Sequence, residues 1–259
     1  MNDLSDNAQA EAAQANALVE QFASQGFVLL RSVLDAAHCE ALRLFIQQSL
    51  QPLVGPAEFE ADVGYPGAPA DRRAAGGQTP RRLLHAYARS DLLRDTATHP
   101  RLARVLRLLL ADDDVLMSQC HHNCVMTKHP GYSSATLWHQ DIRYWSYDKP
   151  ELVSAWFALG SETRKNGALR VIPGSHKLHL DRGRLDRDLF LRPELDVNRD
   201  LIHQAQTVEL EAGDVLLFHC QLFHAAGKNL SEHVKLSPVF TYHKSDNHPI
   251  PGTRSARFP

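Results

Sequence analysis

Residues 212–229 of the 259-residue chain read AGDVLLFHCQLFHAAGKN. The Ala-Gly-Asp triplet at the start of this stretch indicates a turn, and the apolar residues 215–218 that follow are typical of a buried strand. Similar β-rich runs, separated by turn residues, recur through the second half of the chain, which predicts a sandwich or barrel of antiparallel strands with helices packed outside it. The full set of runs is VLMSQCHHNCVMTK (115–128), TLWHQDIRYW (136–145), LVSAWFALG (152–160), ALRVIPGSH (168–176), QTVELEAGDVLLFHC (206–220) and KLSPVFTYHK (235–244).

The first 114 residues have a mainly helical pattern. Helix propensity is high from Ala8 to Ser24, and a short apolar run follows at Phe27–Leu30. Asp35 is a suitable N-cap for a second helix over Ala36–Ser49, in which apolar residues recur at helical spacing. A third helical period covers Ser90–Leu110. We therefore expect mainly helices over 1–114 and a core of antiparallel strands at 115–250, all within one domain over 1–259.

Residues 52–80 differ in composition from the segments on either side. They contain the stretches PLVGP, GYPGAP and RRAAGGQTP, which are rich in turn-forming residues and have little to bury. Long loops of this kind in enzymes are often lids. We expect a long, mobile surface loop at 52–80.

Composition excludes several classes of protein. The chain has 28 Lys and Arg against 30 Asp and Glu, a balance that gives no broad cationic surface for nucleic acid or for an anionic membrane. The Arg pairs at 72–73 and 81–82 are best explained as parts of solvated loops. No apolar run approaches the roughly 20 residues of a membrane span, and the polar, acidic N-terminal stretch does not resemble a signal peptide. Because the chain has only 4 cysteines, we expect a cytoplasmic protein without a disulfide scaffold.

The unusual component of the sequence is histidine, with 15 residues. Iron(II) that activates O2 is typically bound by two histidines and a carboxylate, and a His-x-Asp pair can supply two of these ligands. Of the three His-x-carboxylate pairs, the one at 38–40 lies on a predicted helix, where residues i and i+2 point about 200° apart. The pair at 179–181 opens a charged loop. His139 and Asp141 end an apolar run that aromatic residues follow, so they are the best candidates for metal ligands.

A third ligand is expected near the end of the strand at 215–218, where His219 and His224 are both candidates. A zinc site in CHHNC is an alternative, because Cys120, His122 and Cys124 would share one face of a strand. Structural zinc usually takes four ligands, and no second Cys/His pair follows at a standard spacing. Zinc is therefore the weaker interpretation.

Three ordered blocks resemble the phytanoyl-CoA dioxygenase family of iron(II)- and 2-oxoglutarate-dependent oxygenases, which is related to the ectoine hydroxylases. They are WHQDxxYW at 138–145, NGALRVIPGSH at 166–176 and AGDVLLFHCQLFHAAGKN. The resemblance extends to GFVLLRSVL at 26–34 and SDNHPIPGT at 245–253, and so covers most of the chain. It implies a mainly β fold with flanking helices (α+β), specifically a double-stranded β-helix, which is a cupin-like jelly roll.

The resemblance also implies a metal site formed by His139, Asp141 and His224. In the family the distal ligand is the histidine of a block that here contains His224 and not His219. The implied cofactor is Fe(II), and the implied cosubstrates are 2-oxoglutarate and O2. The carboxylate of Asp141 favours hydroxylation over halogenation, since related halogenases have a small residue at this position.

Other positions are carried over from the family one by one. Because neighbouring strand residues face opposite ways, we expect only one of the two adjacent histidines in CHHNC to line the cavity. The implied cosubstrate-binding residues are Lys128, Lys235, Trp156 and His121, and the implied substrate-binding residues are His122, Gln140 and Trp145.

The chain departs from the family at two positions. The family usually binds the distal carboxylate of 2-oxoglutarate with an Arg eleven residues after the distal His and a Ser two residues after it, where this chain has Lys235 and Ala226. Lysine keeps the charge but loses the two-pronged guanidinium geometry, and alanine removes a hydroxyl donor. We therefore expect weaker or differently shaped cosubstrate binding.

The sequence thus predicts a dioxygenase that hydroxylates an unactivated C–H bond of a small molecule and releases succinate and CO2. Two alternatives remain open at this point. One is a catalytically silent β-helix protein that binds a metabolite, and the other is a cupin-type dioxygenase that needs no cosubstrate.

Overall fold

A computed structural model describes the backbone of residues 2–257, and the side chains of residue 9 and residues 12–257. The helices are α1 (Asn2–Gln25), α2 (Ala36–Leu50), α3 (Ala86–Arg89), α4 (Asp91–Ala97), α5 (Pro100–Leu110) and α6 (Asp196–His203). The strands are β1 (Phe27–Leu30), β2 (Ala57–Phe59), β3 (Pro80–Leu84), β4 (Val115–Met117), β5 (Cys124–Lys128), β6 (Thr136–His139), β7 (Leu152–Phe157), β8 (Leu169–Val171), β9 (Gln206–Thr207), β10 (Val215–His219), β11 (His224–Ala226) and β12 (Lys235–Lys244).

The strands form two antiparallel sheets. The larger has eight strands in the order β1-β10-β7-β12-β5-β3-β2, with β4 paired to β12, and the smaller has the order β6-β11-β8-β9. Apolar residues from both sheets pack together between them, including Trp156 and Phe218 of the larger sheet and Val171 of the smaller. This arrangement confirms the predicted jelly roll of antiparallel strands with helices packed outside.

Strand β7 shows why the larger sheet has no solvated face at its centre. All six of its residues are buried. Val153, Ala155 and Phe157 face the helices, where they belong to the same apolar cluster as Leu42 of α2, whereas Trp156 faces the smaller sheet. Because side chains alternate along a strand, one strand contributes to two cores.

Two predicted boundaries in the N-terminal half are confirmed. Helix α1 ends at Gln25, directly before Gly26, which has a φ of +81°. Asp35 caps α2 by accepting a hydrogen bond from the backbone N–H of His38 at 2.7 Å. These caps place β1 beside β10 at one edge of the larger sheet.

The segment 52–80 is more structured than its composition indicates. It contains β2, which pairs with β3, and a 3-10 turn that begins at the fully buried Glu60. The Glu60 carboxylate accepts a hydrogen bond from the backbone N–H of Ser134 at 3.0 Å. The expectation that this segment has little to bury was wrong, because a buried acid attaches it to the domain.

Two stretches that the sequence predicts as single elements each form two elements in the structure. The helical period at Ser90–Leu110 forms α4 and α5, because Pro100 lacks a backbone N–H and is placed at the start of a new helix. The run at 115–128 forms β4 and β5 with bends at 119–122 between them. His122, in this connection, has a φ of +36°. The prediction that His121 and His122 lie on a strand was therefore wrong.

The turn at 212–214 joins the N-terminal segment to the larger sheet. Gly213 has a φ of +91°, and its carbonyl accepts hydrogen bonds from the backbone N–H groups of Val33 and Leu34 at 2.8 and 3.1 Å. A Cβ atom at Gly213 would lie 2.2 Å from the Leu34 carbonyl oxygen. Backbone conformation and space both require glycine here.

Substituting Gly213→Ala should lower the free energy of unfolding by about 2–4 kcal/mol, because it combines left-handed strain with a backbone clash. Gly64→Ala is the matched control, since Gly64 also has a positive φ, of +61°, but open space around its Cα. The control should cost only about 1 kcal/mol. Urea denaturation measures both values, and equal losses would contradict the role of the Leu34 carbonyl.

Candidate active site

The two sheets bring three potential metal ligands together through strand register. His139 ends β6 and is directly opposite His224, the first residue of β11. Asp141 begins a 3-10 turn two residues after His139. All three side chains are buried, and their ligand atoms lie within 4.8 Å of one another. The sequence separation of 85 residues between the two histidines is therefore closed by one pair of antiparallel strands.

The donor atoms face a common point. Asp141 Oδ1 lies 3.7 Å from His139 Nε2 and 3.6 Å from His224 Nε2. The Nδ1 atoms of the two histidines lie 2.8 and 3.0 Å from the backbone carbonyls of Leu137 and Leu222. Because a carbonyl only accepts, each Nδ1 carries the proton and each Nε2 presents a lone pair. This donor set, two imidazole nitrogens and a carboxylate oxygen, fits iron(II).

Burial favours the protonation states that metal binding requires. Burial, and then the charge of His224, lower the pKa of His139 to about 3, so this imidazole is neutral. Burial opposes ionisation of Asp141, but the three surrounding histidines outweigh that effect and lower its pKa. Ser154 Oγ donates a 3.4 Å hydrogen bond to Asp141 Oδ2. A neutral imidazole and an ionised carboxylate therefore coexist at this site.

The other histidines considered from sequence lie elsewhere. His219 contacts the rings of Phe22 and His176, and its Nδ1 accepts a hydrogen bond from the backbone N–H of Gln221 at 3.1 Å. His38 is on α2 and is bonded to Thr96, and His179 is exposed. Within residues 2–257, the Cys/His stretch at 120–124 forms no group able to hold a metal.

A cavity of about 600 Å³ lies over the triad, between the sheets. Both adjacent histidines of CHHNC line it, contrary to expectation, because the bends at 119–122 turn both side chains inward. Gln140 does not line the cavity, since its amide donates to the Gln221 carbonyl. The predicted residues that line it are Lys128, Lys235, Trp156, His121, His122 and Trp145.

Lys235 is held by a buried acid that the sequence analysis missed. The Lys235 Nζ lies 2.8 Å from Glu162 Oε2 and 4.8 Å from the centre of the Trp156 ring. The Glu162 carboxylate also accepts hydrogen bonds from Trp156 Nε1 at 3.0 Å and Ser237 Oγ at 2.6 Å. Glu162 lies in a loop with no motif, so no pattern in the sequence indicates this contact.

Lys128 is opposite Lys235 in the β5–β12 ladder. Its Nζ donates to the backbone carbonyls of Ser134, at 3.0 Å, and Gly227. Burial, and then the charges of Lys235 and Arg81, lower the pKa of Lys128 to about 7. This wall of the cavity therefore presents two ammonium groups to a ligand, one of them paired.

The interpretation of Arg81 and Arg82 as solvated loop residues was wrong. Both lie on β3 and line the cavity. Arg81 is buried, and its guanidinium donates to the Ser134 hydroxyl at 2.9 Å. Burial alternates along β3, but the sequence PRRLL at 80–84 does not alternate between polar and apolar residues, so it carries no strand signal.

Comparison with known proteins identifies the family. The sequence profile of phytanoyl-CoA dioxygenase (PhyH) matches residues 22–237. The chain belongs to the phytanoyl-CoA dioxygenase family. Membership places it among the iron(II)- and 2-oxoglutarate-dependent oxygenases, with O2 as the second cosubstrate, as the sequence motifs predict.

Relatives cover different shares of the chain. Phytanoyl-CoA dioxygenase 1 of Oryza sativa subsp. japonica is 36% identical over 112 residues, which is 40% of this chain and 37% of that protein. The ectoine dioxygenase of Sphingopyxis alaskensis is 25% identical over 244 residues, which is 87% of this chain and 74% of that protein.

Solved structures share the fold at low identity. The 2-oxoglutarate-dependent epimerase SnoN from nogalamycin biosynthesis is similar with a TM-score of 0.73 and 23% identity, over 93% of this chain and 87% of that one. EctD from S. alaskensis with 2-oxoglutarate and 5-hydroxyectoine also has a TM-score of 0.73, with 21% identity over 92% of this chain and 82% of that one.

If His139, Asp141 and His224 bind the iron, His139→Ala, Asp141→Ala or His224→Ala should weaken Fe(II) binding by more than about a hundredfold. His219→Ala is the matched control, because it removes a partly buried histidine outside the cavity, and it should retain the metal. Anaerobic dialysis followed by elemental analysis measures the bound iron. Retention by the His224 variant together with loss from the His219 variant would reverse the assignment of the distal ligand.

Proposed function

We propose that the chain, as a single catalytic domain over 1–259, hydroxylates an unactivated C–H bond of a small molecule with consumption of 2-oxoglutarate and O2 and release of succinate and CO2. The observation that carries the proposal is the convergence of two imidazole nitrogens and one carboxylate oxygen at the wall of a cavity of about 600 Å³. The small number of cysteines supports a reducing compartment such as the cytoplasm. Across residues 2–257, no helix is long and apolar enough to span a membrane.

In this proposal His139, Asp141 and His224 hold the iron. Iron(II) held by these three groups would supply the oxidising chemistry with 2-oxoglutarate and O2 that side chains lack. The carbonyls of Leu137 and Leu222 fix the two imidazole rings, and Ser154 holds the second oxygen of Asp141. Such contacts pre-organise ligands before the metal arrives.

The cosubstrate site in this proposal is the wall formed by Lys128, Lys235, Trp156 and Ser237. These residues line the cavity, and its two lysines carry the N–H donors that a carboxylate requires. The single donors of Trp156 and Ser237 are already bonded to Glu162. Lys235 takes the role of the family arginine. Glu162 positions it, because three donors surround the Glu162 carboxylate and fix the direction of the 2.8 Å ion pair.

Glu162 also lowers the net positive charge that Lys235 offers to the 2-oxoglutarate dianion. A buried ion pair is close to neutral from outside, so Lys235 attracts a carboxylate less strongly than a lone ammonium would. Lys128 then provides charge that no acid of the described residues neutralises by direct contact. A bound dianion would in turn favour the protonated form of Lys128, whose pKa without ligand is about 7.

Oxygen consumption tests the proposed reaction. The Fe(II)-loaded protein with 2-oxoglutarate should consume O2 and form succinate, and the rate should rise when the correct substrate is added. A silent metabolite-binding protein would bind 2-oxoglutarate without forming succinate. A cupin-type dioxygenase would consume O2 equally well without 2-oxoglutarate. Either result would contradict the proposal.

Lys235→Ala should weaken 2-oxoglutarate binding by about 2–5 kcal/mol, because it removes a counter-charge and leaves Glu162 as an unpaired buried anion near the ligand. Glu162→Gln should tighten binding, since the amide oxygen of the substituted side chain still accepts from Trp156 while Lys235 regains its full charge. Lys149→Ala, at a half-exposed lysine paired with Asp246, should change nothing. Titration of the anaerobic Fe(II) protein through its charge-transfer band gives the affinities. Unchanged binding in the Lys235 variant would exclude Lys235 as the anchor.

A further inference from the structure

Two arginines in the cavity have donor groups without hydrogen-bond partners. Arg82 lies on β3, and Arg143 lies two residues after Asp141. Both line the cavity over the triad. The Arg82 Nε and the Arg143 Nη1 are buried and donate to no atom of the part of the chain that the structure describes. These two atoms are closed to solvent, whereas the other N–H groups of both guanidiniums are not and have no hydrogen-bond partner among the described residues. Those other N–H groups are the donors that a ligand in the cavity can reach.

Arg82 is positioned by its neighbour across the strand pair. Glu58 of β2 is opposite Arg82 in the β2–β3 ladder, and its carboxylate oxygen lies 3.4 Å from the Arg82 Nε, outside hydrogen-bond geometry. The same oxygen is 3.6 Å from the Arg81 Nε, so one carboxylate is shared between two guanidinium groups. Arg82 lines the same cavity as Asp141 and His122.

Arg143 is positioned by aromatic rings and not by acids. Its guanidinium carbon lies 3.8 Å from the centre of the Phe190 ring and 4.6 Å from that of Tyr144. Both rings contact His139 edge-on, at centroid distances of 5.8 and 6.2 Å. Stacking orients a guanidinium while leaving its N–H donors available. The Tyr144 hydroxyl is bonded to that of Tyr65 at 2.9 Å and adds a polar group beside the arginines.

The cavity as a whole has an excess of positive charge. Besides the two lysines of the proposed cosubstrate wall, Arg254 and Arg257 line it, and its acidic lining residues other than Asp141 are Glu58 and Asp188. Asp188 is already paired with Arg187. One molecule of 2-oxoglutarate can neutralise a bound iron(II) ion, but this leaves Arg143 without a counter-charge and Arg82 with only a share of the Glu58 carboxylate. A low-dielectric cavity with such an excess favours an anionic ligand.

We propose that Arg82 and Arg143 form a subsite that binds a carboxylate or phosphate group of the substrate next to the metal. The inference rests on the proposed function, since it names the substrate class of the same site. The sheet order β12-β5-β3 places Arg82 beyond the two strands that carry Lys235 and Lys128, and Arg143 approaches from the turn after β6. The anionic subsite is thus separate from the cosubstrate wall, and the C–H bond to be oxidised lies near the anionic end of the substrate.

Binding of matched six-carbon probes tests the subsite without turnover. Hexanoate, hexyl phosphate, hexan-1-ol and hexylamine are titrated calorimetrically into the protein, first metal-free and then saturated with Mn(II) and 2-oxoglutarate. One of the two anions should bind about ten- to a hundredfold more tightly than the alcohol, as expected for charge-assisted hydrogen bonds. The amine should bind no better than the alcohol. Comparing the two anions identifies the group as carboxylate or phosphate.

Arg82→Gln and Arg143→Gln should remove the preference for anions and leave the affinity for 2-oxoglutarate within about twofold. Arg73→Gln is the matched control, because the Arg73 side chain is 93% exposed. Arg82→Lys and Arg143→Lys keep the charge beside Glu58 and the aromatic rings, and should lower the preference by a smaller factor. If a glutamine variant does not fold, the corresponding lysine variant tests the inference in its place.

Three results would overturn the inference. In the first, the anions bind no better than the alcohol. In the second, the preference for anions is unchanged in all Arg82 and Arg143 variants. In the third, these variants lose as much affinity for 2-oxoglutarate as for the anions. The third result would mean that the arginines bind 2-oxoglutarate and not the substrate. Failure of the proposed function gives a different pattern, in which the anion preference is present but no succinate forms.

Discussion

The pairing of β6 with β11 is the constraint on which the site depends. Antiparallel register places His139 opposite His224, two residues that are far apart along the chain. The strands are short, with four and three residues, so the smaller sheet by itself holds them weakly. The apolar layer between the sheets fixes their position, because Phe218 of β10 packs against the His224 ring with a centroid distance of 5.1 Å. Core packing therefore sets the geometry of the donor atoms.

Charge in the cavity is controlled by acids placed behind the basic residues. Glu162 is behind Lys235, and Glu60 lies 3.6 Å from the Arg81 guanidinium. In each case the acid is almost completely buried and also bonded to neutral donors. Such an acid orients a cation and lowers its net charge. Arg143 differs, because aromatic rings hold it in place. No acid of the described residues therefore offsets the charge of Arg143.

Sequence was sufficient for the fold, because the β-rich runs and turn residues are local patterns. It was sufficient for the three proposed ligands only through the family resemblance, which selects His224 over His219. It was insufficient where long-range contacts decide the outcome. Glu162 lies 73 residues from Lys235, and no periodicity relates the two positions. The bends that turn both histidines of CHHNC inward depend on a positive φ at His122, a conformation that non-glycine residues rarely adopt and that propensity does not predict.

Segment 52–80 shows how composition can be misinterpreted. Its many Gly and Pro residues indicate a loop, and much of it has no regular structure. Glu60 nevertheless anchors its first part to the domain interior, and Tyr65 reaches the cavity, where its hydroxyl contacts that of Tyr144. A loop attached at a buried acid cannot leave the cavity as one unit without exposing or unpairing that acid, which is costly. The segment thus contributes a fixed part of the cavity wall at Val63, Gly64 and Tyr65, whereas residues 66–79 do not line the cavity.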